Sequence, residues 1–187
     1  MLLLRPSTCF LLPLWLTLVL VSCGERRVNY DSTSYAPPSN LHMDSELQGY
    51  FDSYVSDAAA AGVGIPDETL QEFKGLMWTD HIDIKNSPDA TILCHCQRRH
   101  GLRFVELLKP NAEGKVGTTL VDDVTLKVMV YHELGHCLHD FSGHTSGKSA
   151  AVMNSYLQPA RYFDLDGLLR DHFQMLKKVQ DNPSFRP

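Results

Sequence analysis

Two histidines four residues apart, His132 and His136, form the motif HELGH with Glu133 between them. In an α-helix this spacing places both imidazoles on one face, one turn apart, so that they can bind one Zn²⁺ at about 2.0–2.1 Å each. Glu133 then lies beside the pair, where it can act on a water molecule at the metal without binding the metal itself. A solvated helix face rich in His and Glu is the structural alternative.

The residues around this motif predict the helix that carries it. Asp122 and Asp123 come directly before the run VTLKVMVYHELGHCLHD, and acidic side chains are stabilising at a helix N-terminus. A stripe of apolar residues recurs at helical spacing on a different face from that of the two histidines. Its members are Leu126, Val130, Leu134 and Cys137. The stripe indicates that this helix is packed into a domain, which favours a metal site over a solvated face.

The order of the segments around the motif helix predicts an α+β domain over residues 44–187. Apolar residues at i, i+3, i+4, i+7 and i+8 predict an amphipathic helix at its beginning, and two segments separated by the hydrophilic turn QRRHG predict strands in the middle. The predicted elements are a helix over 45–61, a short helix or a strand over 68–78, strands over 90–96 and 102–108, the motif helix, and a closing helix over 159–182.

The composition agrees with one ordinary globular domain. The chain has 187 residues, of which 43% are hydrophobic and 21% are charged, and these values exclude a polar disordered chain and a protein with several membrane spans. The net charge is −5 and there is no long basic run. We therefore expect no nucleic-acid partner.

The first 22 residues are typical of a secretory signal peptide. Arg5 precedes an apolar run over 10–21, which is shorter than the ~20 residues that a membrane-spanning helix needs. The run ends in Leu20-Val21-Ser22-Cys23, which resembles a bacterial lipobox. The resemblance implies cleavage before Cys23, lipidation of Cys23 and attachment to a membrane of the bacterial cell envelope, the outer membrane in our interpretation. An uncleaved anchor and an ordinary signal peptide are the alternatives.

The segment over residues 23–43 predicts a flexible tether between this anchor and the domain. It shows no apolar periodicity and contains Pro37-Pro38 among scattered Ser and Asn residues, a composition typical of linkers.

The stretch from His132 to Tyr156 resembles the metzincin clan of zinc metallopeptidases. More narrowly, it is similar to small bacterial zinc-dependent metalloproteinase lipoproteins, in which an HELGHC helix precedes a third histidine and a methionine turn. The resemblance implies a zincin-like fold, in which a small mixed β-sheet packs on a backing helix and on the active-site helix, followed by the methionine turn and a C-terminal helix. It also implies one catalytic Zn²⁺ and a zinc metalloendopeptidase acting on a peptide or protein substrate. We further expect a monomer.

The third ligand departs from the metzincin pattern. In that pattern a glycine follows the first histidine by seven residues and the third ligand follows it by ten, but here these positions hold His139 and Ser142. Gly143-His144 is the best substitute, because glycine permits a sharp turn and a loop two residues longer can bring His144 back to the metal. His139 falls about 10 Å further along the helix, too far to share one ion comfortably. The remaining alternatives are Asp140, Asp164 and Asp166.

The sequence Ala151-Val152-Met153-Asn154-Ser155-Tyr156 resembles the methionine turn of that clan. The resemblance implies that Met153 is a structural floor beneath the metal rather than a ligand, and that Tyr156 can reach toward the substrate oxyanion.

The predicted reaction is hydrolysis of a peptide bond, in which Glu133 takes a proton from water and later delivers it to the departing amine. The strand over 102–108 is a candidate for pairing with an extended peptide. The displaced third ligand supports an alternative from another class, a non-catalytic zinc-binding surface lipoprotein that keeps the zincin fold. A zinc amidase acting on cell-wall peptides differs from the peptidase only in its substrate.

The cysteines of the domain allow two interpretations. The first interpretation is a second metal site at Cys94-His95-Cys96. Its C-x-C spacing is narrower than the C-x₂₋₄-C spacing of most zinc sites. In an oxidising compartment, a disulfide between Cys137 and either Cys94 or Cys96 is the other interpretation. Such a bond ties a strand to the motif helix.

Overall fold

The computed structural model describes residues 21–22, 39–82, 91–99, 101–141, 144, 152–153 and 164–184. Helices and strands both occur in it, which confirms the α+β class. The elements in chain order are β1 (Val21–Ser22), α1 (Ser45–Ala60), α2 (Asp67–Glu72), β2 (Phe73–Thr79), β3 (Thr91–Ile92), β4 (Cys94–Arg99), β5 (Leu102–Leu108), β6 (Lys115–Val116), β7 (Thr119–Leu120), α3 (Asp123–His139) and α4 (Leu165–Asp181). The ambiguous segment over 68–78 thus contains most of a short helix followed by most of a strand.

The main sheet of the described residues has three strands in the order β2-β5-β4. β5 is the central strand, parallel to β2 and antiparallel to β4, so the sheet is mixed. Both backbone edges of β5 are therefore used by neighbouring strands. The prediction that the strand over 102–108 pairs with an extended peptide is wrong, because a central strand has no open edge to offer.

α1 packs against α3 through the apolar face that its sequence predicts. Leu47, Tyr54 and Ala58 are fully buried, and the ring of Tyr54 meets that of Tyr131 edge to face at 4.9 Å between centroids. Burial of one large apolar side chain contributes about 1.5–3 kcal/mol. This contact therefore helps to fix α3, the helix that carries the motif.

α3 is buried over much more of its surface than the predicted stripe implies. Every residue over 128–138 is buried, because α3 packs against β4 and β5, α1 and α4. Its beginning agrees with the sequence, since the Asp122 carboxylate accepts a hydrogen bond of 2.8 Å from the backbone N–H of Thr125. This is an N-cap of the ordinary kind.

α4 closes the domain against the far side of α3. Its buried residues are Leu168, Leu169, His172, Phe173 and Leu176. The predicted closing helix begins earlier, at residue 159, but the residues over 154–163 lie outside the described part of the chain.

The last residues of the predicted tether run beside β2. Met43 forms a parallel bridge with Leu76. The approach is so close that a Cβ on Gly75 would lie 2.6 Å from the His42 carbonyl oxygen, which explains the glycine in this strand. The contact attaches this segment directly to the edge of the main sheet.

Only two residues of the predicted signal peptide lie in the described part of the chain. Val21 and Ser22 pair in parallel with Thr91 and Ile92, whereas residues 1–20 and Cys23 lie outside the described residues. Of the helices in the described ranges, none is long and apolar enough to cross a bilayer.

Candidate metal centre

Three histidines converge at one point beside α3. His132 and His136 come from the helix itself, and His144 comes from the segment after it. One ring nitrogen from each lies within 4.8 Å of the others. The His144 ring centroid is 5.2 Å from that of His132 and 5.1 Å from that of His136. His132 and His136 are almost completely buried, and His144 is half-buried. Three imidazoles in this arrangement can hold one metal ion.

Backbone carbonyls fix the orientation of the two helical histidines. The Nδ1 of His132 lies 2.6 Å from the carbonyl oxygen of Val152, and the Nδ1 of His136 lies 2.5 Å from that of Phe141. A carbonyl oxygen only accepts hydrogen bonds, so both Nδ1 atoms carry the proton and donate it. Both Nε2 atoms then present lone pairs, which is the tautomer that a metal ligand requires.

The two Nε2 atoms face each other at 3.0 Å. Burial, followed by the neighbouring charge of His136, holds the pKa of His132 well below its usual value, so His132 is neutral near pH 7. Two lone pairs at this distance repel unless a cation lies between them. Nitrogens that each lie 2.0–2.1 Å from one tetrahedral ion are separated by about 3.3 Å. The donor set therefore fits a small cation that accepts imidazole ligands.

Glu133 lies beside this group without joining it. Its Oε1 is 4.0 Å from the His132 Nε2, and the residue is only 2% exposed. This distance is too long for a direct hydrogen bond. The carboxylate therefore lies next to the group of three histidines.

Met153 packs against α3 at Gly135, within the motif. It is fully buried, and a Cβ on Gly135 would lie 2.9 Å from its Sδ and 3.1 Å from the His172 Cε1. Gly135 is thus the residue of the motif that lets Met153 come so close to the helix. Met153 supports the helix here and does not belong to the group of three histidines.

His139, the first alternative for the third ligand, lies in a different environment. Its ring packs 5.9 Å from that of Tyr54, and its buried Nε2 has no hydrogen-bond partner among the described residues. Burial lowers the pKa of His139 to about 4, against a smaller opposing effect of the Asp140 charge. His139 thus belongs to the interior between α1 and α3.

The aspartate alternatives lie outside the group of three histidines. Asp140 accepts hydrogen bonds from Arg103 at 2.7 Å and from Arg98 at 3.0 Å. Asp164 is the N-cap of α4, and Asp166 lines a groove of about 790 Å³ between α1, α3 and α4. None of the three is in the group that the described residues form. Among the candidates weighed, His144 is the one that meets the two helical histidines.

Some predicted site residues lie outside the described part of the chain. They are Cys23, Ser142, Gly143 and Tyr156.

A disulfide between Cys96 and Cys137 ties β4 to α3 directly beside His136. The sequence left Cys94 and Cys96 as equal candidates, and the structure selects Cys96, while Cys94 is buried in the core. The bond spans 41 residues, for which the chain-entropy model gives a stabilisation of about 4 kcal/mol. The C-x-C segment is therefore structural and is not part of the metal group.

The contacts that orient the site include several that sequence reasoning missed. The carbonyls of Val152 and Phe141 have no side-chain signature, so no pattern could have identified them. Arg103 donates to the carbonyl oxygen of Cys137 at 2.7 Å as well as to Asp140. The only signal for Arg103 was a lone cation in the otherwise mostly apolar strand LRFVELL.

Comparison with protein-family models, with curated proteins and with solved structures gives no match for this chain.

Proposed function

We propose that this protein is a zinc metalloendopeptidase, with His132, His136 and His144 as the metal ligands and Glu133 as the general base and acid. The observation that carries the proposal is the convergence of His144 on the two motif histidines, together with the carbonyl acceptors on both helical Nδ1 atoms. Imidazole ligands suit Zn²⁺, and a set of three leaves one position of a tetrahedral ion for water.

We also propose that the fold is zincin-like. The support is the combination of a small mixed sheet, a backing helix α1, a motif helix α3 and the packing of Met153 under Gly135. The same combination is what the resemblance to metzincins implies.

In the proposed reaction, a bound zinc ion supplies a Lewis acid that lowers the pKa of water toward about 7 and polarises the scissile carbonyl. Glu133 accepts the proton of the attacking water and transfers it to the nitrogen of the departing amine. The carbonyls of Val152 and Phe141 keep His132 and His136 in the tautomer that leaves each Nε2 for the metal. General acid–base help of this kind contributes typically about 10²–10⁴-fold.

The replacement Glu133→Gln tests this proposal. Glutamine keeps the size of the side chain but cannot accept the proton, so hydrolysis of an unstructured protein such as casein should fall about 10²–10⁴-fold, while zinc remains bound at one ion per chain. Glu113→Gln is the matched control, because Glu113 is exposed and pairs only with Lys115 among the described residues. Turnover that survives Glu133→Gln unchanged would refute the mechanism.

A second candidate is a zinc-binding surface protein without turnover. It is favoured by the burial of Glu133, which is 2% exposed, because a substrate must reach this carboxylate. One tightly bound zinc ion with no hydrolysis of any protein or cell-wall peptide would support this candidate.

We further propose that the protein is exported and is anchored in the bacterial cell envelope by a lipid on Cys23. Its support is the resemblance of residues 20–23 to a lipobox. Mass spectrometry of the protein from membranes should find a lipid-modified Cys23 at the new N-terminus. An intact leader with unmodified Cys23 would contradict anchoring and leave the zinc site unaffected.

A further inference from the structure

α3 ends in an unusual turn that starts the segment leading to His144. Asp140, the C-cap residue, adopts φ 52° and ψ 25°. It is the one non-glycine residue with positive φ in the described part of the chain. This left-handed conformation is disfavoured for most side chains and is tolerated best by Gly, Asn and Asp. Contacts outside the turn are therefore expected to hold it.

Arg103 supplies those contacts from the central strand. Its guanidinium donates to the carbonyl oxygen of Cys137 at 2.7 Å and to the Asp140 carboxylate at 2.7 Å. On its other side the Arg103 Nε donates to Glu72 at 2.8 Å. The Arg103 side chain is 15% exposed. One cation thus binds the last turn of α3 and the first residue after it.

The turn at Asp140 sets the position of a carbonyl group that orients His136 and precedes His144 in the chain. The next residue, Phe141, provides the carbonyl oxygen that receives the Nδ1 proton of His136. Four residues after Asp140 the chain reaches His144, whose ring stacks on that of His132. A different turn would aim the Phe141 carbonyl away from the His136 Nδ1.

We propose that Arg103 and Asp140 are positioning residues of the metal centre, which orient His136 through the Phe141 carbonyl. This inference rests on the proposed zinc site and extends it to a pair of residues that lie outside the motif. Neither residue binds the metal itself.

The charges of the pair agree with this role. Burial opposes ionisation of Asp140, but the hydrogen bonds and charges of Arg103 and Arg98 outweigh burial and hold the pKa of Asp140 below its usual value. Asp140 is therefore ionised near pH 7. Its side chain is 63% exposed, and ion pairs with an exposed member contribute little to global stability. A positioning role thus predicts an effect on the metal that is larger than the effect on folding.

The test uses Asp140→Asn and Arg103→Met, with affinity for Zn²⁺ measured by competition with a chromophoric chelator. Asparagine tolerates the left-handed conformation as well as aspartate does, so Asp140→Asn removes the charge and leaves the backbone preference. We expect zinc affinity to fall about 10–100-fold in both variants, as is typical when the groups that orient a metal ligand are removed. Arg103→Lys should restore only part of this zinc affinity, because a lysine has no second nitrogen to hold Glu72 while its ammonium binds the end of α3.

A spectroscopic signature separates positioning from general stability. Co²⁺ in place of Zn²⁺ reports the ligand geometry through its visible absorption, and we expect the intense bands of a tetrahedral site to weaken in Asp140→Asn. Asp181→Asn is the matched control, because it breaks the ion pair of Lys177 and Asp181 at 2.9 Å on α4. That variant should keep the wild-type affinity and spectrum.

The outcomes are distinguishable. If the wild-type protein binds neither ion, the proposed zinc site fails and this inference fails with it. If the wild-type protein binds the metal and folded Asp140→Asn keeps its affinity within about twofold and its Co²⁺ spectrum, the positioning role alone is refuted. If Arg103→Met does not fold, the zinc affinity and the Co²⁺ spectrum of Asp140→Asn alone test the positioning role.

Discussion

Two groups of histidines pack along α3, and they differ in what their ring nitrogens contact. The metal group consists of His132, His136 and His144. The aromatic cluster consists of His139, His172 and Tyr54, in which the His172 Nε2 lies 3.4 Å from the Tyr54 hydroxyl. In the metal group, both helical Nδ1 atoms donate to carbonyls. In the aromatic cluster, the His139 Nε2 and the His172 Nδ1 have no partner among the described residues.

Burial and charge do not separate the two groups. Burial lowers the pKa of His132 well below its usual value, and it also lowers the pKa of His172 to about 3 and that of His139 to about 4. All three are therefore neutral near pH 7. What separates the groups is the carbonyl acceptor behind each of the two helical rings of the metal group, which fixes the direction of its Nε2 lone pair. A histidine without such an acceptor behaves as part of the core.

The largest expected effect is the difference in zinc affinity between His132→Ala and His139→Ala, two variants of the same helix. Removal of one ligand from three should weaken zinc binding by more than the 10–100-fold typical of residues that only orient a ligand, and hydrolysis should be lost with the metal. His139→Ala should leave zinc stoichiometry and affinity unchanged, because its ring lies outside the group. Isothermal titration calorimetry with Zn²⁺ measures both.

The two variants control for each other, because both shorten a histidine of α3 to alanine. Equal losses of zinc affinity in both would show that the packing of α3, and not the identity of the ligand, decides binding. In that case the distinction between the two groups would be false.

Local signals in the sequence were sufficient to predict α3 and the pair of histidines that it carries. Helical spacing is a short-range property, so the HELGH motif and the Asp122 cap could be assigned directly. His144 followed from the number of residues that a loop needs to return to the metal, after the resemblance to metzincins had supplied the pattern. The aromatic face of α1 was predicted in the same way, from its 3.6-residue period.

Long-range pairing was the part that the sequence did not specify. Nothing in LRFVELL distinguishes a central strand from an edge strand, since strand order depends on segments far along the chain. Cys94 and Cys96 lie two residues apart and so share one face of β4, which is why alternation alone could not select the partner of Cys137. The hydrogen bond from Arg103 to Asp140 joins residues 37 positions apart, so no periodic pattern in the sequence indicates it.

The next largest effect, a loss of stability, is expected at Gly135, where Met153 and His172 both approach α3. An added Cβ would lie 2.9 Å from the Met153 Sδ on one side and 3.1 Å from the His172 Cε1 on the other. Gly135→Ala should therefore lower the free energy of unfolding by about 1–3 kcal/mol, the usual cost of an overpacked core. Urea denaturation of the metal-free protein measures this loss.

Gly49→Ala on α1 is the matched control, because nothing lies within 4 Å of its added Cβ and alanine is the better helix former by about 1 kcal/mol. That variant should be as stable as the wild type or more stable. If Gly135→Ala has the same stability as Gly49→Ala, the close contact between Met153 and α3 is not a constraint on the fold.

The smallest expected effect is on the pH dependence of stability that His139 of the aromatic cluster contributes. The pKa of His139 is about 4 in the folded protein and about 6.5 in an unfolded chain. Between these values the unfolded chain binds a proton that the folded protein does not, so the free energy of unfolding falls as the pH is lowered from 6.5 to 4. Above pH 6.5 His139 is neutral in both states and contributes nothing to this dependence.

His139→Phe should therefore make the protein less sensitive to acid. The ring stays against Tyr54 and loses its titrating nitrogen, so the pH dependence of stability between 4.5 and 6 should decrease by about 1 kcal/mol per pH unit, with little change at pH 7.5. Urea denaturation with a chelator present isolates this effect, because the titration of the metal ligands is then common to both proteins. An unchanged slope would mean that the His139 ring is protonated in the folded state, and the contrast between a directed ligand and a core histidine would then rest on His172 alone.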